Sequence, residues 1–185
     1  MDYERCFDQN QCFGYPEGCI NNKTCEMMTS LKITGDKVDV QLVKSVSDWE
    51  EYVAMAFSDD NKMGKDLVFA CSYSWMRASS LGIYVNMLWN EGRSQPSMLQ
   101  EERKVIRNST GNGRSIAGAG RLVTCNFTLE KDVTVKGKRF DFEKGHHILL
   151  AAGKTNNDTL FKHDNKVASK SKFGKYENQT GTYIL

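Results

Sequence analysis

The stretch Val38-Asp39-Val40-Gln41-Leu42 alternates apolar with polar side chains, as a strand does when one face is buried and the other is wet. Arg139-Phe140-Asp141-Phe142 repeats this pattern, whereas helical periodicity is weak. Short apolar or aromatic runs between polar or glycine-containing turns predict eight strands, at 38–43, 52–57, 67–73, 81–89, 122–129, 139–142, 147–152 and 159–162. The predicted fold class is all-β, an antiparallel β-sandwich.

Size and charge limit the function classes. The chain has 185 residues, of which 39% are hydrophobic and 26% charged, so it predicts one main folded domain and excludes a disordered or collagen-like chain. Its net charge of +2 is spread along the sequence and predicts neither nucleic acid nor a polybasic membrane contact as a partner. The apolar run at 148–152 is far below the roughly 18 residues of a membrane span, so none is expected in this chain.

The six cysteines predict a disulfide framework. The spacing of the first four lacks the C-x2-C pairs typical of metal knuckles. Because local partners cost the least loop-closure entropy, we expect these four to bond at least partly among themselves, leaving a bridge between the other two. The alternative joins each later cysteine to the N-terminal segment. Residues 1–28 are therefore predicted to be a cysteine-rich segment packed on a domain at 29–185. The cysteines are Cys6, Cys12, Cys19, Cys25, Cys71 and Cys125.

Five N-x-[ST] sequons suggest that the chain is glycosylated, and together with the cysteines they predict a secreted protein or a cell-surface ectodomain. The acceptor asparagines are Asn22, Asn108, Asn126, Asn157 and Asn178.

Several motifs for common chemistries are missing. Gly111-Asn112-Gly113, with Gly118 and Gly120, predicts a mobile turn and does not fit the spacing of a dinucleotide-binding or P-loop motif. The run at 113–117 lacks the final glycine of a nucleophile elbow, which argues against a serine hydrolase. The stretch 97–107 fits either a strand pair or one short helix.

Histidine and methionine are the candidate ligands. His146 and His147 are adjacent and would point to opposite faces of a strand, so one site cannot easily take both. The third histidine is His163. Met63 lies in a polar turn, where a thioether fits if it folds onto the core, a cofactor or a soft metal.

The run around this methionine resembles the signature of the DOMON domain in the ferric-chelate reductase or stromal cell-derived receptor family. It reads Phe57-Ser-Asp-Asp-Asn-Lys-Met63-Gly64-Lys-Asp66 and is followed by Ala70-Cys71. The resemblance covers nearly the whole chain. Its other parts are the spacing of the first four cysteines and the stretches 123–127, 149–153 and 160–164.

The resemblance implies an immunoglobulin-like β-sandwich that binds haem b, with Met63 and His163 as the axial ligands of the iron. Such ligation leaves no open coordination position, so it implies electron transfer without substrate turnover by the domain itself, as part of a ferric reductase system. Typical reductases of this kind continue into a transmembrane b-type cytochrome, which is the implied redox partner. This chain is then either a cut ectodomain or a free extracellular cytochrome.

Two other functions compete with this one. The first is a haem-free extracellular ligand-binding or adhesion β-sandwich, in which Met63 fills the core and His163 lies on the surface. The second is copper handling through methionines and the histidine pair, which the absence of M-x-x-M repetition disfavours.

Overall fold

All eight predicted strands are present in the computed structural model, which describes residues 1–8, 10–47, 50–74, 82–92, 95–99, 105–116, 120–156 and 159–174. Five further strands and two short helices accompany them. In chain order the elements are α1 (Glu4–Asp8), β1 (Gln11–Tyr15), α2 (Cys19–Asn22), β2 (Met27–Thr34), β3 (Lys37–Val46), β4 (Glu51–Ser58), β5 (Asp66–Ser74), β6 (Gly82–Asn90), β7 (Ser97–Met98), β8 (Ile106–Ile116), β9 (Gly120–Glu130), β10 (Asp132–Val135), β11 (Lys138–Asp141), β12 (His147–Asn156) and β13 (Thr159–Ala168).

The strands form two antiparallel sheets and a separate hairpin. One sheet has five strands in the order β1-β2-β3-β9-β8, and the other has six in the order β13-β12-β4-β5-β6-β7. Strands β10 and β11 pair with each other. The main apolar core lies between the two sheets and takes side chains from both, so the predicted all-β sandwich is confirmed.

Strand β3 shows how alternation produces this packing. Val38, Val40 and Leu42 are buried in the core, whereas Asp39 on the opposite face accepts a hydrogen bond from the Thr128 hydroxyl at 2.8 Å. Strand β4 differs because it is buried along its whole length. Both faces of the six-stranded sheet are therefore covered at β4, which is unusual for a sandwich sheet with one wet side.

The turn predicted from Gly111-Asn112-Gly113 with Gly118 and Gly120 is wrong at 111–113, because these residues lie inside β8 and pair with β9. Gly120 begins β9, and Gly118 lies outside the described residues. A Cβ at Gly111 would lie 2.2 Å from the Ile83 carbonyl oxygen. Glycine is needed here for the close approach of two strands rather than for a turn. The stretch 97–107, which the sequence fitted to either a strand pair or a short helix, contains β7 and the start of β8. Its residues 100–104 lie outside the described ranges.

The predicted disulfide framework is confirmed, with the bridges Cys6–Cys12, Cys19–Cys25 and Cys71–Cys125. The last bridge crosses the core between β5 and β9 and so joins the two sheets. In the N-terminal segment, β1 pairs with β2, and Cys19 and Cys25 pack in a small separate apolar cluster. The division of the chain at residue 28 stays a prediction, and the β1–β2 pairing crosses it.

Candidate functional site

The outer face of the six-stranded sheet, the one turned away from the five-stranded sheet, carries a second buried apolar cluster. On β4, Val53, Met55 and Phe57 point into the core, whereas Ala54 and Ala56 point to the outer face. Neighbouring strands add further small or aliphatic side chains, so this face has an apolar centre. The buried members of the cluster are Tyr52, Ala54, Ala56, Val68, Ala70, Leu88 and Leu160, with Leu149 packed against them.

Strand register places three alanines side by side across this centre. Ala151, Ala54 and Ala70 are paired in turn on β12, β4 and β5, and Asn86 on β6 ends the row. From these short side chains we infer a channel across the strands, and we call its floor the alanine row. From Ala151 to Asn86 it spans three strand spacings, about 14 Å.

His163 lies at one side of the alanine row. It pairs with Gly153 on β12, which in turn pairs with Tyr52 on β4, and it is half-buried. A Cβ at Gly153 would lie 3.0 Å from the His163 Cα, so glycine allows β13 to approach this closely. The Tyr52 hydroxyl donates to the Phe161 carbonyl at 3.0 Å and ties β4 to the strand that carries His163.

Burial keeps this tyrosine in its neutral form. Loss of hydration raises the pKa of Tyr52 to about 12, and the negative charge of Asp164 adds to the effect. The hydroxyl therefore remains a hydrogen-bond donor across the physiological pH range.

The loop that carries Met63 lies beyond the opposite side of the alanine row. The Ser58 hydroxyl donates to the Lys62 carbonyl at 3.2 Å, and the Gly64 N–H donates to the Asp66 carboxylate at 2.7 Å. Loss of hydration raises the pKa of Asp66. The Met63 side chain itself is 41% exposed. Ser58 and Asp66, at the buried polar end of the face, thus anchor the loop, whereas the Met63 thioether lies near the surface.

Met63 and His163 therefore flank the same apolar face from opposite ends and are not brought into contact. Strand β4 gives the distance between the two ends. Tyr52 is level with His163, Ser58 is beside the Met63 loop, and these two residues lie six positions apart on the strand. At the rise of an extended strand this corresponds to about 20 Å. Their joint ligation of one iron stays a prediction, and it requires Met63 to turn inward over the apolar centre.

His146 and His147 point to opposite faces, as their adjacency predicted. His146 is buried beside Phe57 and donates from Nε2 to the Asp141 carbonyl at 3.2 Å. His147 pairs with Ser58, at the Met63 end of the outer face, and donates from Nδ1 to the Ser169 carbonyl at 3.0 Å. A carbonyl contact of this kind fixes the orientation of imidazoles that bind metals. Sequence reasoning missed this oriented imidazole, because its signal is a strand register and not a motif.

One lysine holds both ends of the Met63 loop. Lys138 Nζ lies 2.9 Å from the Asp59 carboxylate and donates to the Lys65 carbonyl at 2.8 Å. The hydrogen bond from Lys138 lowers the pKa of Asp59. His146 Nδ1 lies 3.4 Å from the same carboxylate, and burial lowers the pKa of His146. The base of the loop is thus a charged network built on the β10–β11 hairpin.

This network predicts a pH-dependent stability. Because its pKa is lowered in the folded state, His146 binds fewer protons there than in the unfolded chain. The free energy of unfolding should rise with pH up to the ordinary histidine pKa of about 6.5, by at most about 1.4 kcal/mol per pH unit. Urea unfolding between pH 5 and 7 should show this slope in the wild type, and His146→Phe should remove it.

Asp59→Asn is the matched variant. The Asp59 charge favours protonated His146, so its removal should lower the pKa of His146 further and extend the slope to more acidic pH. An unchanged slope in His146→Phe would show that another group causes the pH dependence.

Three of the five sequons can be compared in the structure. Asn22 and Asn108 are exposed, whereas Asn126 lies within β9 and accepts a hydrogen bond from the Gln41 amide at 2.8 Å. Asn157 and Asn178 lie outside the described residues. Glycosylation at all five positions stays a prediction.

No group of three or more His, Cys, Asp or Glu side chains in the described ranges could hold a metal ion, and no helix in them is long and apolar enough to cross a membrane.

Comparison with known proteins finds relatives along most of the chain. A ferric-chelate reductase 1 homologue of Drosophila melanogaster is 26% identical over 82% of this chain, which spans 22% of that protein. DOMON domain-containing protein FRRS1L of Mus musculus is 27% identical over 87% of this chain, which spans 50% of it. The chain thus corresponds to between about a fifth and a half of these relatives. No family model matches.

A solved structure supports the fold. The cytochrome domain of cellobiose dehydrogenase from Myriococcum thermophilum superposes with a TM-score of 0.56, covering 86% of this chain and 81% of that domain at 11% identity. Sequence and fold point the same way, and the chain is a homologue of ferric-chelate reductase 1 and of the DOMON domain-containing protein FRRS1L.

Proposed function

We propose that this chain is an extracellular b-type cytochrome domain that holds haem b on the outer face of its six-stranded sheet and transfers electrons. One observation carries the proposal: a buried face with an alanine floor lies between His163 at one end and the Met63 loop at the other. A flat apolar macrocycle standing on the alanine row would present one face to each end. When bound, haem supplies one-electron redox chemistry.

The chain's own residues would bind, orient and shield the group. His163 would ligate from the β13 side, on a strand that the Tyr52 hydroxyl ties to β4. Met63 would ligate from the other side after turning inward. Leu88 and Leu149 lie beside the alanine row on its Met63 side and would exclude water from that side of the macrocycle. A dry, apolar shell is one of the factors that set the reduction potential of a haem.

In this arrangement His147 is an alternative to Met63, and not to His163, as an axial ligand of the iron. It lies at the Met63 end of the face, and its Nε2 remains available because Nδ1 donates to the Ser169 carbonyl. Ligation by His163 and His147 would give two imidazoles and a lower potential than ligation by His163 and Met63. We favour Met63 because it lies in the loop that resembles the family signature. The midpoint potential distinguishes ligation by His163 and Met63 from ligation by His163 and His147.

The proposed setting follows from the relatives. Ferric-chelate reductase relatives support a reductase system as the setting of this electron transfer. The partner we propose, from the resemblance of the sequence, is a transmembrane b-type cytochrome. The three disulfides suggest an oxidising, extracellular environment. The domain would pass electrons without turning over a substrate of its own.

An absorption spectrum tests the proposal. The chain should be produced with its disulfides formed, titrated with haemin and then reduced with dithionite. We expect a sharp Soret band and, on reduction, the narrow visible bands of a six-coordinate low-spin haem. A protein that stays colourless with added haemin would contradict the proposal and favour the haem-free ligand-binding sandwich.

Filling the channel should block haem binding. Ala54→Leu adds a bulky side chain to the middle of the alanine row, and overpacking of about 1–3 kcal/mol corresponds to a loss of haemin affinity of about 5- to 150-fold. Ala168→Leu is the matched control, because Ala168 pairs with Leu149 at the exposed edge of the same face. Haemin titrations of both variants, with circular dichroism to check folding, measure the effect. Equal affinities would show that haem does not use the alanine row.

A further inference from the structure

Among the described residues, three buried polar side chains on the outer face have an atom without a hydrogen-bond partner. One is an acceptor, Oδ1 of the Asp66 carboxylate at the Met63 end, and the other two can donate: the Ser72 hydroxyl and the NH2 of the Asn86 amide. Ser72 is fully buried and Asn86 is 5% exposed. Buried polar groups in native proteins nearly always have a partner, so each unpaired group needs an explanation. A ligand that supplies the missing acceptor is one.

The two side chains form one corner of the channel. Ser72 pairs with Tyr52, in line with His163, and Asn86 ends the alanine row beside Ala70. They lie on neighbouring strands as diagonal neighbours, a relation that separates Cα atoms by about 7–8 Å. A single acceptor group above this corner could therefore contact both.

The chemistry of the pair selects the kind of group that fits. A serine hydroxyl and an asparagine NH2 both donate hydrogen bonds, so they suit an acceptor with more than one lone pair. A carboxylate is such an acceptor, and hydrogen bonds to it are stronger than those to a neutral oxygen.

We propose that Ser72 and Asn86 form a carboxylate-binding corner that holds a propionate group of the bound tetrapyrrole. This inference rests on the proposed function and adds to it the residues that fix the rotation of the macrocycle within the channel. The axial ligands hold the iron but do not by themselves set this rotation. The corner acts in binding and orientation and takes no part in ligating the iron.

The test compares two iron porphyrins on the same variants. Haemin carries two carboxylates, whereas iron octaethylporphyrin has none and presents only alkyl groups at its edge. Wild-type chain, Asn86→Leu, Ser72→Ala and the double variant are titrated with each, and the Soret band reports binding. We expect each single substitution to weaken haemin by about 10-fold, the loss of one charge-assisted hydrogen bond, and to leave octaethylporphyrin binding nearly unchanged.

Asn112→Leu is the matched control, because Asn112 is exposed on β8 of the other sheet. The thermal midpoint of each chain without porphyrin supplies a second readout. Asn86→Leu should not lower it, because the substitution removes an unpaired buried NH2.

The outcomes separate the two proposals. Equal losses for both porphyrins would assign the residues to packing and overturn the corner, and unchanged haemin affinity would overturn it as well. In either case the cytochrome proposal stands. No Soret band from the wild type with either porphyrin would overturn the proposed function and the corner together.

Discussion

His163→Ala should abolish the low-spin haem spectrum. Substitutions of residues that only orient a metal ligand typically cost 10- to 100-fold in affinity, so loss of the ligand itself should weaken haemin binding by more than about 100-fold. His163 is half-buried on β13, and no other histidine lies at its end of the face. Haemin titration followed by the reduced spectrum measures both effects. Added imidazole should restore low-spin character if the ligand position is otherwise intact.

The other two histidines serve as controls. His146 is buried on the core side and His147 lies at the far end of the outer face, so alanine at either should leave the low-spin spectrum in place. Met63→Ala should retain haem through His163, lower the midpoint potential and open a coordination position. If His147→Ala instead removes the low-spin spectrum and His163→Ala does not, the assignment of His163 is wrong although a cytochrome remains.

The strands were predictable because their signals are local. The alternation at Val38 to Leu42 depends only on neighbouring residues, and it became β3 with the buried and exposed faces expected. Strand β8 was missed because Gly111 reads as a turn residue, whereas its role is close contact with Ile83 on another strand. A contact between residues that are distant in sequence produces no periodic pattern. The sequence therefore contained nothing to correct the turn that the local glycines suggested.

The candidate site was only partly predictable, for the same reason. Met63 and His163 stood out by chemistry and resemblance, but the surface between them is defined by register. Ala151, Ala54 and Ala70 lie on three strands, and their alignment depends on how β12, β4 and β5 pair. One local trace did exist: on β4, Ala54 and Ala56 alternate with the large Val53, Met55 and Phe57. Small residues that alternate with large core side chains indicate a shallow apolar outer face on this strand.

Removing the Cys71–Cys125 bridge should have the largest effect on stability. The bridge closes a loop with a sequence separation of 54, and the chain-entropy relation assigns such a loop about 4 kcal/mol. Both sulfurs are buried between the sheets, so truncation also leaves unfilled volume in the core. Guanidinium unfolding of the double variant Cys71→Ala/Cys125→Ala should show a free energy of unfolding lower than that of the wild type by at least this amount.

The Cys6–Cys12 bridge supplies a matched control with the same chemistry. Its sequence separation is 6, for which the same relation gives about 2 kcal/mol, and it packs at the edge of the small N-terminal cluster outside the main core. The double variant Cys6→Ala/Cys12→Ala should therefore lose about half as much stability. Equal losses from the two variants would contradict the chain-entropy account of these bridges.

The cross-sheet bridge matters to the site as well, because Cys71 lies on β5 one residue from both Ala70 and Ser72, whose side chains face the channel. If the bridge holds that strand in place, the Cys71→Ala/Cys125→Ala variant should lose haemin affinity under conditions in which it remains folded, and the Cys6→Ala/Cys12→Ala variant should not.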